Sequence, residues 1–146
     1  MRSMTLFSIS LVLALVSCKS HKPVAVPPGD AGEIPREVAV QKLGELLPTA
    51  EYLYCSAPKE SLKPAEISLW KVVSDSVQIE YGKGRKLQLN FSDMVDVRME
   101  LAGKYSVVKV YTTVQVDRNK DHFQFLWKAQ DRAKQVTELL LSLKKR

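Results

Sequence analysis

From residue 67 onward, apolar and polar side chains alternate with a period of two. Val77, Ile79 and Tyr81 are separated by Gln78 and Glu80, and Leu87, Leu89 and Phe91 by Gln88 and Asn90. Val95, Val97, Met99 and Leu101 alternate with Asp96, Arg98 and Glu100; Val108, Val110, Thr112, Val114 and Val116 form one side of a longer run. Leu69-Trp70-Lys71-Val72-Val73 precedes them, and Phe123 and Phe125 follow. Strict alternation places one face against a core and the other in water, the pattern of antiparallel strands. Ser74-Asp75-Ser76, Gly82-Lys83-Gly84, Gly103 and the polar stretch 117–121 supply the turns. Six strands in series predict a meander, which must bend or pack to hide its edges.

Helical spacing brackets this region. Ala129, Ala133, Val136, Leu140 and Leu143 form a continuous apolar stripe, predicting a helix over 128–144. Lys144, Lys145 and Arg146 favour its C-terminus. A second helix is expected over 35–47, with Pro35 at its first position, Ala39, Leu43, Leu46 and Leu47 on one face, and Pro48 ending it. Residues 49–55 suit a short helix or an extended stretch equally, and 57–64 read as a proline-bounded loop. Residues 19–32 hold three prolines, two glycines and no apolar periodicity, so 18–32 is expected to be a flexible tether and 33–146 a single globular domain.

The first residues follow another pattern. Arg2 precedes an apolar run at 5–16, too short for a spanning helix, which needs about 20 residues. A basic start, this run and small residues before a cut site describe a signal peptide over 1–17. Leu15-Val16-Ser17-Cys18 resembles the lipobox of bacterial lipoproteins. That resemblance implies a diacylglyceryl and an N-acyl lipid on Cys18, cleavage before it, and attachment to the bacterial cell envelope. Lys19, standing where an inner-membrane protein of this kind carries aspartate, implies transfer to the outer membrane. Two or three acyl chains make attachment effectively permanent, at ~0.8 kcal/mol per buried methylene.

Removing residues 1–17 from 146 leaves 129, enough for one domain with one core. Arg2 is the only charge lost, so 21 basic side chains face 16 acidic ones. Export argues against nucleic acid as the partner of that excess. A solvated surface accounts for it, and so does affinity for anionic lipid or envelope polymer. With Cys18 acylated, Cys55 has no partner in the chain; beside Tyr52, Leu53 and Tyr54 it reads as a buried thiol.

Leu87-Gln88-Leu89-Asn90-Phe91, the run Met94-Val95-Asp96-Val97-Arg98, the hairpin 104–116 and Phe123-Gln124-Phe125 before the final helix are similar in order to the pleckstrin-homology (PH) superfold and its GRAM-like relatives. The resemblance covers residues 66–144 and implies an α+β domain: a bent antiparallel sheet of six to seven strands, plugged by the C-terminal helix. A seventh strand fits 52–57 or a split of 86–101. It also implies that basic residues at an early hairpin, here Lys83, Arg85 and Lys86, could hold an anion. An ordinary soluble turn explains the same residues.

Other chemistry is sparse. Asp117-Arg118-Asn119-Lys120-Asp121 has the first oxygen positions of a calcium loop, but His122 and Lys128 stand where glycine and glutamate are required. Asp96, Arg98 and Glu100 share a strand face as charges on its wet side. No catalytic residue, metal ligand set or cofactor is assigned. The expectation is a non-catalytic binding or scaffolding lipoprotein with a protein partner in the envelope; Trp70, Tyr105, Tyr111 and Trp127 read as core or strand-packing aromatics, a Tyr105/Tyr111 surface patch being the first place to look for an interface. The alternatives are a pilot lipoprotein of a secretion or outer-membrane machine and, remotely, a small envelope hydrolase.

Overall fold

A computed structural model describes residues 22–25, 34–116 and 119–144, with backbone alone over 114–121. The signal peptide 1–17, Cys18 and most of the tether lie outside the described residues.

Among the described residues nine strands and two α-helices follow one another: β1 (Lys22–Val24), α1 (Arg36–Leu46), β2 (Tyr52–Ser56), β3 (Lys59–Leu62), β4 (Ile67–Val72), β5 (Ser76–Tyr81), β6 (Arg85–Asn90), β7 (Met94–Ala102), β8 (Tyr105–Val116), β9 (Asn119–Trp127) and α2 (Gln130–Lys144). They form a six-stranded sheet, ordered β1-β7-β8-β9-β2-β3, and a three-stranded sheet, β4-β5-β6. Every ladder is antiparallel. The class is α+β, as expected, but the meander is divided between two sheets. The breaks fall at two 3-10 turns. At Pro64–Glu66 the Lys63 N–H donates to Glu66 Oε2 at 2.7 Å. At Phe91–Asp93 the Asn90 amide donates to Asp93 Oδ2 at 2.9 Å. Each turn diverts the chain out of one ladder and into the next.

Helix α2 packs on the inner face of the larger sheet, against β7, β8 and β9, while α1 packs on α2 and β4. Ala133, Val136, Leu140 and Leu143 are buried, as the stripe requires, and Thr137 and Leu139 widen it, whereas Ala129, the first residue of the expected stripe, is exposed ahead of the helix. The core is one cluster: Val77 and Ile79 from the smaller sheet, Val108, Val110, Phe123 and Phe125 from the larger, Ala39 and Leu43 from α1. Trp70 and Phe125 join the sheets at 6.3 Å between ring centroids. Trp127 is fully buried and its indole N–H donates to Thr49 Oγ1 at 3.0 Å, so its polar atom is satisfied.

Three expectations need correction. Residues 57–64 are not simply loop: β3 pairs with β2 from Leu53↔Leu62 to Ser56↔Lys59. The short prolyl hairpin concealed that pairing. Because β2 also pairs with β9, the sheet reaches well before residue 66, so the unit expected over 66–144 is not self-contained. Within the 18–32 tether, Lys22–Val24 is a strand on the edge of β7, Val24 packing against the core. The N–H that Pro23 lacks is tolerated at an edge. The ambiguous stretch 49–55 resolves into the end of a 3-10 turn and then β2.

Candidate functional site

The β5–β6 hairpin places Gly82 and Gly84 at φ +57° and +74°, a backbone region that disfavours side chains, so Gly-Lys-Gly is dictated by the turn. Lys83, Arg85 and Lys86 project nearby and are exposed. Two of them are already engaged. Arg85 Nη1 donates to Glu60 Oε1 at 2.7 Å and its guanidinium sits 4.7 Å from the Tyr81 ring; Lys86 Nζ is 3.2 Å from Glu80 Oε1. The buried Tyr81 hydroxyl donates to the same Glu60 oxygen at 3.1 Å. Burial first, and the Glu60 carboxylate next, push the Tyr81 hydroxyl above its ordinary value. A cavity of about 370 Å³ opens beside this group, lined by Leu62, Glu66, Ser68, Tyr81 and Arg85 among others. Glu66 in its wall, and Glu60 bonded to two of its lining side chains, oppose an anion there.

The outer face of the six-stranded sheet is different. Strand alternation turns Val97, Met99, Val108, Val110, Phe123, Phe125, Leu53 and Cys55 inward. Their neighbours point outward in cross-strand rows. Asp96, Tyr111 and His122 form one row. Arg98, Lys109, Gln124, Tyr54 and Ser61 form the next. Glu100, Val107, Leu126 and Tyr52 form a third. His122 lies between Tyr54 and Tyr111, at 5.6 and 5.7 Å between centroids, and its Nε2 is 3.0 Å from Gln124 Nε2. Tyr52 and Tyr105 meet edge to face at 5.7 Å. Lys109 and Glu100 pair at 2.8 Å with both side chains mostly covered. Val107 is only 1% exposed yet lies outside the main core cluster, so this face buries apolar surface of its own.

The sequence had suggested Tyr105 and Tyr111; the fold adds Tyr52, Tyr54 and His122 to them. The Tyr-x-Tyr spacing of 52 and 54 was the available signal, obscured because that stretch fitted a helix equally well. Asp96 and Glu100, which share this face, pair separately with Arg98 and Lys109. The bond to Asp96 pushes the Arg98 guanidinium further above its ordinary value. Cys55 is fully buried, as expected. Among the described residues no group of three or more His, Cys, Asp or Glu is placed to hold a metal ion. Residues 117–118 of the calcium-like loop, and the side chains of 119–121, lie outside the described set. No described helix is long and apolar enough to cross a membrane.

No family model matches the chain, and no curated protein does. Among solved structures it is similar to a "PH domain from TgAPH", at 17% identity over 75% of this chain and 92% of that one, with a TM-score of 0.46.

Proposed function

We propose that this protein is a non-catalytic binding module of the bacterial envelope, held in the outer membrane by lipid on Cys18, with the outer face of its six-stranded sheet as the working surface. The observation that carries the reading is the convergence of Tyr52, Tyr54, Tyr105, Tyr111 and His122 on one open sheet face. Tyrosines bring large rigid area and a polar tip at low entropic cost, which is why they concentrate in protein interfaces. The Leu15-Val16-Ser17-Cys18 motif supports the anchor. The Lys83, Arg85 and Lys86 hairpin is the weaker site, because Glu60 and Glu80 already neutralise two of its cations.

One experiment tests both halves. Cells fed labelled palmitate are solubilised, and the tagged protein is captured beside its Tyr54→Ser/Tyr111→Ser variant. The expected result is a labelled chain bringing down one stoichiometric protein, with recovery from the variant at least tenfold lower, as loss of about 1–2 kcal/mol per interface tyrosine requires. Equal recovery with both proteins refutes the surface. An unlabelled chain refutes the anchor.

A further inference from the structure

We propose that the end of the six-stranded sheet bearing the β7–β8 turn lies against an anionic lipid surface; this rests on the reading of Cys18 as the lipid anchor. The argument begins with β1. Its register, Lys22↔Leu101, Pro23↔Glu100 and Val24↔Met99, is antiparallel to β7. Followed backwards from Lys22, the chain therefore heads toward the Ala102–Tyr105 end of the sheet. Cys18 is four residue steps from Lys22, and four steps reach at most about 14 Å. Lipid on Cys18 must enter the bilayer within that distance of Lys22, so the docked strand shortens a long leash to a short one.

The end so placed has the chemistry of an interface with lipid. Lys22 and Lys104 are exposed, and the Lys104 ammonium stands 5.4 Å from the Tyr105 ring, which meets Tyr52. At the same end β3 runs out into exposed Lys63, and β9 into exposed Lys128. Two carboxylates share this end, Glu66 accepting the Lys63 backbone N–H at 2.7 Å and Glu51 that of Lys128 at 2.9 Å; both keep their charge, so four lysines face two carboxylates there. Asp131 and Arg132, exposed at the start of α2, offset each other. Tyrosines beside lysines suit the headgroup layer, where one end of the ring is apolar and the other wet; this gives Tyr52 and Tyr105 to the lipid and leaves Tyr54, Tyr111 and His122, farther along the same face, to the protein partner. Each lysine held at an anionic surface strengthens attachment about fivefold.

The test places a polarity-sensitive fluorophore on the lipidated protein in vesicles containing phosphatidylglycerol, through Lys104→Cys or, at the opposite end, Lys59→Cys. Acylated Cys18 and buried Cys55 leave the new thiol as the reactive one. Nitroxides carried on lipid are expected to quench the Lys104 probe several-fold more than the Lys59 probe. Lys22→Glu in the first variant is expected to narrow the difference. Equal or reversed quenching in a chain whose mass shows the lipid overturns the orientation alone. A mass without lipid overturns the anchor, and the short leash with it.

Discussion

Replacing Glu60 with alanine removes the one acceptor that serves both Tyr81 and Arg85, and so tests what fastens the smaller sheet to the larger. Glu60 lies on β3, whereas Tyr81 ends β5 and Arg85 begins β6. Arg85 is 61% exposed and Glu60 20%, so their 2.7 Å contact contributes less than about 1 kcal/mol. Tyr81 is 2% exposed, and a hydrogen bond from a buried hydroxyl to a carboxylate is worth about 1.5–3 kcal/mol. Its loss leaves the hydroxyl unpartnered. Glu60→Ala is therefore expected to cost about 2–3 kcal/mol. Arg85→Ala, losing an exposed ion pair and an exposed cation–π contact, should cost about 1 kcal/mol or less. Urea unfolding at neutral pH reads this directly, because a slope of about 1–3 kcal/mol/M turns the larger loss into a midpoint shift near 1 M. If Arg85→Ala costs as much as Glu60→Ala, the exposed pair rather than the buried hydroxyl is the fastening, and the ranking of the two contacts is wrong.

Two further expectations follow from the core. The Tyr81 hydroxyl titrates above its ordinary value of 10.0 in the folded chain, so its protonated form is the one that folding favours. That contribution is complete below pH 10 and lost as pH rises toward the folded value, because the unfolded chain releases the proton first. Tyr81→Phe should therefore flatten the alkaline limb of a stability–pH curve; an unchanged limb excludes Tyr81 as its source. Leu140→Ala, at a fully buried position of α2, should lower stability by about 2–5 kcal/mol in thermal unfolding, and a loss under about 1 kcal/mol would show that α2 does not close the core.

The alternation was legible wherever a strand has one wet face: Val77, Ile79, Tyr81, Leu87 and Leu89 are all buried as their spacing required. It misled at Val95, where a register irregularity between Met94 and Asp96 turns Met94 as well as Val97 inward. Periodicity cannot register an extra residue in one strand. β3 was hidden for another reason: Lys59-Glu60-Ser61-Leu62 has one apolar residue, and its place in the sheet comes from pairing with β2, not from its own pattern. β1 is the same case in three residues. Of the site, the basic hairpin was visible in full, but its neutralisation by Glu60 depends on a contact between residues 25 apart. The aromatic face required knowing that β2 and β9 are neighbours.

The docked segment Lys22–Val24 has one more consequence, for solubility. β7 is nine residues long and would otherwise form the rim of the larger sheet. Backbone amides and carbonyls at a bare rim recruit strands from other molecules. By covering Met99 to Leu101, three residues of poor pattern act as a gatekeeper. Shortened beyond residue 25, the protein would offer that stretch to its own copies, and self-association rather than unfolding would be the first sign of the loss.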